Sequence, residues 1–584
     1  MSVKACNSGD YLLVCAIDFG TTFSGYAFSM KHDYIKDPLN IATNNWIGQS
    51  LISQKAPSTV LCRPNGDFHS FGYEAEGKFC DLANDDKHHG WFFFRQFKMI
   101  MHSQKELKRA TLLHDHEGKS MPALDVFAMC LRYIRKHLLD AIDKQGMSLK
   151  DNEVVWVITV PAIWSDPAKQ FMREAAVQSG ISNEHLILAL EPEAASIYCK
   201  RLPIDRLAAG STLPGFNPGI TYMVLDIGGG TADVTVHKIL SDGSLTELHK
   251  ASGGAWGGTR VDQAFRMFLK KTFGSKVMKR FAEEFHIDDF DLSMEFEVKK
   301  RRISLENTSE ITVRIPVNLM VLFKEETKRP INDILKRNGF DDKVTIKGDK
   351  MRIDANIFRD FFTESVESII AHVRDILRSP RSNDISTILM VGGFSESPLL
   401  QDMIRRAFPE KTLVIPHDAG TAVLKGAVMY GHQPKIVTSR ISKFTYGVNF
   451  HRDFDPKLHL KEKRVVIDGD VLCKDIFLKF VRVGDTLKLG EKRSHTFIET
   501  FQSPERKRMI EYCNIFASTD PKPNYIDDEN CWMLGRVAML PPKNGWPDKI
   551  EGRIEMVFGM TEFEVTVFDE ISGQQFNANF DLLK

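Results

Sequence analysis

A short motif that occurs twice is the feature that most restricts the fold of this chain. An apolar strand predicted at Leu12–Ile17 runs into the turn Asp18-Phe-Gly-Thr-Thr22, and a second strand, Tyr222–Asp226, runs into Ile-Gly-Gly-Gly-Thr231. In both places the strand ends in aspartate, a Gly/Thr turn follows, and another strand begins. A duplicated α/β half explains this arrangement more simply than chance does.

The two turns carry the residue types that a phosphate site needs. Glycine lets backbone N–H groups approach an anion without a Cβ in the way, and threonine adds hydroxyl donors. The aspartate at each strand end supplies a hard oxygen for Mg²⁺. The first turn taken alone is equally typical of an ordinary hairpin, but the second is more specific and the two stand at equivalent places. The sequence therefore predicts that facing turns bind ATP with Mg²⁺ between two half-domains.

The rest of the chain divides into an α/β part and a β-rich part. Before about Pro434, buried strands such as Val154–Val160 alternate with helices such as Arg260–Lys271, Met294–Leu305 and Ile357–Leu377. Beyond it, runs such as Ile554–Phe568 alternate in the manner of strands. We predict a first α/β half at 1–220, a second at 221–433, a linker at 434–446 and a β-rich domain at 447–584.

Composition excludes several classes of partner. Lys and Arg number 77, as do Asp and Glu, so net charge favours neither a nucleic-acid partner nor a membrane surface. The longest apolar stretch, Val154–Trp164, is too short to insert in a bilayer, and Met1–Asp10 has no signal pattern. The nine cysteines include no Cys-x-x-Cys pair, so they predict neither a zinc site nor a disulfide framework. We expect a monomeric cytoplasmic protein, with the nucleus as an alternative.

The motifs resemble those of a known family. Ile17–Thr22 and Asp226–Asp233 resemble the phosphate motifs shared by actin, sugar kinases and heat-shock chaperones. Further segments narrow the resemblance to the seventy-kilodalton heat-shock proteins, and in particular to their divergent member-twelve branch. Those segments are Ile17–Phe28, Phe97–Met99, Val157–Ala162, Glu191–Ala195, Glu297–Ser304, Val391–Gly393 and Asp418.

The resemblance implies a fold as well as a site. It implies a duplicated actin-like ATPase domain of two ribonuclease H-like halves, followed by a β-sandwich-like domain that binds peptides. Leu534–Pro542 and Arg553–Gln574 are similar to strands of that sandwich. The helical lid of the family and its Glu-Glu-Val-Asp tail have no counterpart before Lys584.

The resemblance also implies which residues contact the nucleotide. In the two turns they are Gly20, Thr21, Thr22, Phe23, Gly228, Gly229, Gly230 and Thr231. Mg²⁺ ligands, acting mostly through water, are Asp18, Glu191 and Asp226. Nucleoside contacts are Lys300, Arg301, Ser304, Gly392, Gly393 and Asp418. For the basic run Lys299–Arg302, a solvated helix face or a nuclear address is the alternative reading.

A smaller set is implied for catalysis. Lys98 matches the lysine that positions the attacking water, and Asp233 matches a carboxylate that orients this water or a monovalent cation such as K⁺; Glu191 and Thr231 complete the set. Two simpler explanations stay open. Lys98 is a surface lysine if Arg95 takes its role, and Glu191 is an ordinary carboxylate at a helix N-terminus.

The sequence departs from the family in three places. Glu396 replaces an arginine that stacks on adenine, a contact worth about 0.5–2 kcal/mol. Thr259 replaces a glutamate. The connector Gly431–Thr445 lacks the acidic, leucine-rich linker of the family, and its basic residues Lys435, Arg440 and Lys443 interrupt the few apolar ones. We therefore expect the connector to dock poorly.

Three functions follow as hypotheses. The first is a chaperone-like protein with slow Mg²⁺-dependent ATP hydrolysis and weak coupling to a lidless β domain. Its partners are a polypeptide client or another protein, with a nucleotide-exchange factor as a further candidate. The second is a nucleotide-sensing scaffold with negligible turnover. The third, a metabolite kinase, is disfavoured by the β-rich domain and by Lys98.

Overall fold

The computed structural model describes residues 11–48, 52–103, 107–115, 117–203, 207, 216–379, 384–467, 469–501, 503–570, 575 and 578–583. The strands of the first half are β1 (Leu13–Phe19), β2 (Phe23–Met30), β3 (Ala42–Thr43), β4 (Trp46–Ile47), β5 (Ile52–Ser53), β6 (Ala56–Pro57), β7 (Thr59–Cys62), β8 (Phe68–Phe71), β9 (Phe92–Arg95), β10 (Leu112–His114), β11 (Ser120–Pro122), β12 (Val154–Val160) and β13 (Leu186–Leu190). Its helices are α1 (Lys31–Lys36), α2 (Tyr73–Asn84), α3 (Ile100–Ser103), α4 (Ala123–Asp143), α5 (Asp166–Gln178) and α6 (Glu191–Cys199).

The second half follows with strands β14 (Thr221–Ile227), β15 (Ala232–Ile239), β16 (Leu245–Gly254), β17 (Ile311–Arg314), β18 (Val344–Lys347), β19 (Lys350–Ile353), β20 (Ile385–Val391) and β21 (Thr412–Val414). Its helices are α7 (Thr259–Phe273), α8 (Ser275–Glu284), α9 (His286–Lys300), α10 (Val317–Thr327), α11 (Ile331–Arg337), α12 (Ala355–Leu377), α13 (Pro398–Ala407) and α14 (Ala419–His432). The last region holds β22 (Val437–Ile441), β23 (Thr445–Asp453), β24 (Arg464–Ile467), β25 (Asp470–Val481), β26 (Thr486–Lys488), β27 (Glu491–Thr500), β28 (Glu511–Ser518), β29 (Cys531–Met539), β30 (Lys549–Phe558), β31 (Glu564–Asp569) and β32 (Ala578–Asp581).

The central sheets of the two halves share one strand order. In the first half the order is β13-β12-β1-β2-β3, and in the second it is β21-β20-β14-β15-β16. In each sheet the central strand, β1 or β14, runs parallel to one neighbour and antiparallel to its hairpin partner. The repeated motif therefore lies at the same place in both sheets, which is what the repeat predicts.

Helices α6 and α14 pack against each other between the two sheets. Residues from both sheets and both helices, such as Val14, Val224, Ala195 and Ala427, form one buried cluster. A Cβ on Gly426 would lie 1.7 Å from the carbonyl oxygen of Ala194, so only glycine allows the two helix backbones to approach this closely. This shared core fixes the two halves around a common cleft.

Most predicted elements are present, with two differences in extent. The predicted strand Val154–Val160 is β12 itself, and all of its residues are buried. Helix α9 spans His286–Lys300 rather than the predicted Met294–Leu305, and it begins earlier because acidic residues in its first turn stabilise the helix N-terminus. The apolar run Ile554–Phe568 forms two strands, β30 and β31, because Gly559 adopts a positive φ of 81° between them.

The connector contradicts the expectation of poor docking. Strand β22, which lies inside the predicted linker, pairs in parallel with β16 and antiparallel with β26, and so extends the sheet of the second half. Arg440 is buried there because its Nε and Nη2 donate to the Glu193 carboxylate at 2.7 Å each. A basic residue that looked like an interruption therefore holds the connector in place.

The region after the connector is built from strands. A six-stranded sheet, β24-β25-β23-β28-β29-β32, and a three-stranded sheet, β27-β30-β31, contribute to one apolar core that includes Val448, Ile515 and Val567. From residue 433 onward, the part of the chain that the structure describes contains no α-helix. The region contacts helix α5 through the ion pair between Arg173 and Glu562, with Nη2–Oε2 at 2.6 Å.

Two further findings concern membrane-spanning helices and cysteines. None of the helices in the described ranges is both long enough and apolar enough to cross a bilayer. The eight cysteines within those ranges are free thiols, and five of them are buried.

Candidate functional site

The two glycine-threonine turns interlock at the bottom of the cleft. A Cβ on Gly229 would lie 2.2 Å from Oγ1 of Thr22, and a Cβ on Gly230 would lie 2.6 Å from Oγ1 of Thr21. The second turn therefore needs glycine at both positions, because any side chain would collide with the threonines of the first turn. The structure brings together the two turns that the sequence predicted to face each other.

The turns open into a cleft with a volume of about 1020 Å³. Its lining includes sixteen of the residues that the sequence assigned to the site: Asp18, Gly20, Thr21, Thr22, Phe23, Lys98, Glu191, Asp226, Gly228, Gly229, Gly230, Thr231, Lys300, Arg301, Gly392 and Gly393. Helices α2 and α9 form opposite walls, since Tyr73 and Glu76 of α2 and Glu297 of α9 also line the cleft.

Two of the predicted nucleoside residues lie outside the lining. The hydroxyl of Ser304 donates to Oδ1 of Asn307 at 3.0 Å in the turn after α9. Asp418 pairs through Oδ2 with Nζ of Lys425 at 2.5 Å and accepts the hydroxyl of Tyr198 at 2.7 Å. Both side chains therefore hold neighbouring protein groups in this structure.

Asp233 also lies behind the lining, but it contacts a residue within it. Its carboxylate accepts the N–H of Ile163 at 2.9 Å and a hydrogen bond from the hydroxyl of Thr231, which lines the cleft. Burial raises the pKa of Asp233, and these hydrogen bonds offset part of that rise. Asp233 can therefore act on the cleft through Thr231.

The base of the cleft holds an excess of carboxyl groups over cations. The acidic groups are Asp18, Glu191, Asp226 and Asp233, and the basic groups are Lys55, Lys98 and, beside Asp233, Lys443. Burial, followed by the neighbouring negative charges of Glu191 and Asp233, raises the pKa of Asp226 well above its ordinary value. Oδ2 of Asp226 is buried and has no hydrogen-bond partner. A cation is the group that this arrangement lacks.

These residues fit Mg²⁺. Their oxygens are hard ligands, and the buried, unpartnered Oδ2 of Asp226 offers a lone pair toward such an ion. Gly392 has φ +88°, and a Cβ there would lie 2.5 Å from Oδ1 of Asp226. The absence of a side chain therefore keeps space open beside this carboxylate.

Lys98 is buried beside Glu191 and is not a surface lysine. Its side chain is 5% exposed, its Nζ lies 3.0 Å from Oε1 of Glu191, and it stands 5.0 Å from the centre of the Trp164 ring. The rival, Arg95, places its guanidinium 4.9 Å from the centre of the Phe290 ring. The geometry therefore favours Lys98 over Arg95 for a role at the turns.

Glu191 is the first residue of α6, but it does more than cap that helix. Burial raises its pKa to about 7, and the positive charge of Lys98 opposes only part of the rise. A carboxyl group with this pKa exchanges its proton near neutral pH. The side chain is therefore a buried carboxyl group that can exchange a proton near neutral pH.

Lys55 is a residue of the site that the sequence analysis missed. Its Nζ lies 2.6 Å from Oδ2 of Asp18, whose Oδ1 accepts the hydroxyl of Thr159 at 2.9 Å. Burial alone would raise the pKa of Asp18, but Lys55, Lys98 and Thr159 outweigh it and lower that pKa. No local signal marks Lys55, because a lysine in a polar loop resembles any solvated lysine until β6 pairs with β2.

The basic run at the end of α9 divides between two environments. Lys299 forms an ordinary surface pair with Glu295, with Nζ and Oε1 3.4 Å apart. Lys300 is buried, and its Nζ lies 2.7 Å from Oδ1 of Asp262. Arg301 is half exposed in the cleft. Helical spacing thus separates the run, so the solvated-face explanation applies to Lys299 but not to Lys300.

Arg301 and Glu396 stand at the upper part of the cleft. The guanidinium of Arg301 lies 5.3 Å from the centre of the Phe23 ring and pairs with Glu297, with Nε–Oε1 at 2.7 Å. Glu396 lines the cleft, but its Oε1 accepts the N–H of Gly420 at 2.9 Å and so caps α14. An aromatic ring and a cation are therefore available for a flat ligand, with a carboxylate beside them.

Comparison with known proteins identifies the family that this sequence matches. The sequence matches the family model described as "Hsp70 protein" over residues 93–454. It is 33% identical to human Heat shock 70 kDa protein 12B over 643 residues, which covers 100% of this chain and 92% of that protein. It is 33% identical to mouse Heat shock 70 kDa protein 12A over 630 residues, which covers 98% of this chain and 92% of that protein. The Chaperone protein DnaK of Mycoplasmopsis synoviae is 25% identical over 361 residues, which covers 60% of this chain and 51% of that protein.

Proposed function

Because this chain belongs to the Hsp70 family, we propose that it is an ATP-binding, chaperone-like protein with slow Mg²⁺-dependent hydrolysis. On this proposal residues 1–433 form a duplicated actin-like ATPase domain and 447–584 a β-sandwich-like domain that contacts a polypeptide. One observation carries the proposal: two glycine-threonine turns interlock over a buried excess of carboxyl groups. The partners are a polypeptide client or another protein, with a nucleotide-exchange factor as a candidate.

The turns would hold the phosphates from both sides. Backbone N–H groups of Gly229 and Gly230 and the hydroxyls of Thr21 and Thr22 stand within one interlocked surface, which suits a tetrahedral anion. The ammonium of Lys55 adds a positive charge at the same place. These donors bind and orient the nucleotide before any chemistry occurs.

Three carboxyl groups would hold the metal ion. Asp18, Glu191 and Asp226 stand around the turns, and water molecules complete the shell that Mg²⁺ prefers. Mg²⁺ bound there would neutralise charge on the phosphates during transfer. Asp18 is the weakest candidate of the three, because its carboxylate is already paired with Lys55.

Lys98 and Thr231 would position the attacking water. The ammonium of Lys98 donates to Glu191 and is held against the Trp164 ring, which also keeps bulk water away from it. The hydroxyl of Thr231 donates a hydrogen bond to Asp233, so its oxygen remains free to accept a hydrogen bond from a water. Glu191, which burial makes more basic than an ordinary carboxylate before the metal binds, is placed to receive the proton that the water releases.

Calorimetry on a double variant tests the site. Asp226→Ala removes a proposed metal ligand, and Gly229→Trp fills the space that Thr22 occupies, so together they should abolish Mg²⁺-dependent ATP binding. Asp470→Ala, an exposed aspartate of the β-rich region, is the matched control and should bind as the wild type does. Unchanged ATP affinity in a folded double variant would show that the site is elsewhere.

A scaffold with negligible turnover is the second candidate. It is favoured by the pairing of Asp18 with Lys55, which reduces the charge available for a metal ion. A single-turnover ATPase measurement on pure protein separates the two. Hydrolysis that is lost in Lys98→Ala supports the first candidate, whereas no hydrolysis in wild type supports the scaffold.

The proposed β domain can be tested with a peptide. Since the described part of this domain has no α-helix to cover a bound peptide, an extended apolar peptide should dissociate quickly with ADP and with ATP. We expect ATP to change its affinity by less than about tenfold, or about 1.4 kcal/mol. Fluorescence anisotropy measures both rates. A slow complex with ADP that ATP releases would contradict weak coupling, and the docked connector β22 would be its structural route.

A further inference from the structure

A histidine cluster lies where α2 and α9 meet at the far end of the cleft. Tyr73 at the start of α2 and Lys300 at the end of α9 line the cleft. His88 follows the end of α2, and His286 is the first residue of α9. With a rise of about 1.5 Å per residue, α9 places His286 about 20 Å from Lys300. Side chains of the two halves thus meet well away from the proposed nucleotide site.

The cluster has the spacing of a metal site. Nε2 of His88 lies 3.7 Å from Oε1 of Glu117, and the ring centres of His88 and His286 are 4.9 Å apart. One ligand atom from each of these three residues lies within 4.8 Å of the others. Tetrahedral bonds of about 2.1 Å would place ligand atoms about 3.4 Å apart, so small side-chain rotations would close the site.

His88 is the second and independent sign of a missing ligand. It is 5% exposed, and neither of its ring nitrogens has a hydrogen-bond partner. The imidazole nitrogen is the commonest metal ligand among side chains, so an ion would satisfy a nitrogen that burial leaves without a partner. Phe79 packs edge-on against both His88 and His286, with ring centres 6.0 Å from each, and holds the two rings side by side.

We propose that His88, Glu117 and His286 bind one divalent ion of the zinc class, and that this ion fastens the two halves of the molecule together across the cleft. Two imidazole nitrogens with one carboxylate oxygen suit zinc-class ions, whereas Mg²⁺ prefers oxygen ligands throughout. Water or His89, whose Nδ1 lies 3.6 Å from Oε1 of Glu117, completes the shell. Because its ligands come from both halves, the ion stabilises the closed cleft.

Titration of the tag-free, chelator-treated full chain tests the site without nucleotide. Zn²⁺ competing with a chromophoric chelator should bind at one equivalent, and Co²⁺ should show the visible absorption of a four-coordinate site. His286→Ala and Glu117→Gln should each weaken Zn²⁺ binding at least about tenfold. His451→Ala, an exposed histidine of the β-rich region, should have no effect. His286 is only partly buried, so its variant is expected to fold.

One result would overturn the bridging site directly. Asp86, His88 and His89 also form a possible ligand group, and all three belong to the first half. If His286→Ala binds Zn²⁺ as tightly as wild type does, the ion is held by the first half alone or adventitiously. In that case the two halves are not fastened together.

Two measurements test the fastening itself. Hydrogen exchange without nucleotide should slow at 84–90 and at 285–290 when Zn²⁺ is added to wild type, but not to His286→Ala. Release of a fluorescent ADP analogue should also slow about fivefold or more, because the closed cleft favours both ligands. Only this second readout depends on the proposed function. Exchange that Zn²⁺ leaves unchanged at 285–290 in wild type would overturn the proposal even if no nucleotide binds.

Discussion

Arg440 should control whether the connector stays docked, and Arg440→Met tests this most directly. The guanidinium donates to the Glu193 carboxylate through two hydrogen bonds of 2.7 Å and also contacts the Gly559 carbonyl. The two side chains are 8% and 3% exposed. Methionine keeps much of the apolar stem of arginine but removes the charge, so the carboxylate of Glu193 is left buried without its partner.

The magnitude follows from the burial of that pair. Removing one partner of a buried, hydrogen-bonded ion pair costs about 3–5 kcal/mol. If this cost falls on the docked state of β22, its opening becomes about a hundredfold to a few thousandfold more frequent, at about 1.4 kcal/mol per factor of ten. Replacing both partners, as in Glu193→Leu with Arg440→Met, should recover most of the loss, because neither charge of the pair is then left buried without the other.

Hydrogen exchange of the amides in Val437–Ile441 measures this opening. We expect exchange to accelerate by at least about a hundredfold in Arg440→Met, in line with the estimate above. Lys435→Met is the matched control, since Lys435 is an exposed basic residue of the same connector. Exchange within about threefold of wild type in Arg440→Met, or a double variant as labile as the single one, would refute the ion-pair reasoning.

Three further predictions concern the cleft. Lys98→Ala should lower single-turnover hydrolysis far more than ATP affinity, because its charge acts mainly in the transition state; turnover in Lys98→Ala equal to that of wild type would instead point to Arg95. Since the pKa of Glu191 is about 7, Mg²⁺ affinity measured by calorimetry should fall by about tenfold or more per pH unit below 7, and Glu191→Gln should reduce this slope to the part that Asp226 contributes. In the metal-free protein the same raised pKa makes the stabilising contribution of Glu191 greatest below its ordinary value of 4.5, and that contribution is lost as pH rises through 7. Glu396→Arg should tighten ATP binding a few-fold through stacking; Glu396→Gln, which keeps an acceptor for the Gly420 N–H, is the control, and weaker binding in the arginine variant would mean that the helix cap matters more.

The central strands and their turns could be predicted from the sequence because their signals are local. A strand buried on both faces must be apolar at every position, as Val154–Val160 is, and a turn that grips an anion must contain glycine. The repeat then implied that the two turns face each other across a cleft. For the same reason, sixteen of the residues assigned from motifs line that cleft.

Only the tertiary structure decided the environment of the charged and imidazole side chains. Lys55, Arg440 and His88 look like solvated residues in the sequence, because nothing nearby reveals which distant segment will cover them. Arg440 and Glu193 are 247 residues apart, and His286 reaches His88 only because α9 packs against α2. A buried polar group costs free energy unless a partner satisfies it, and any partner comes from the folded topology. The sequence thus determined the two turns, whereas the fold decided that the connector docks and that the histidines meet.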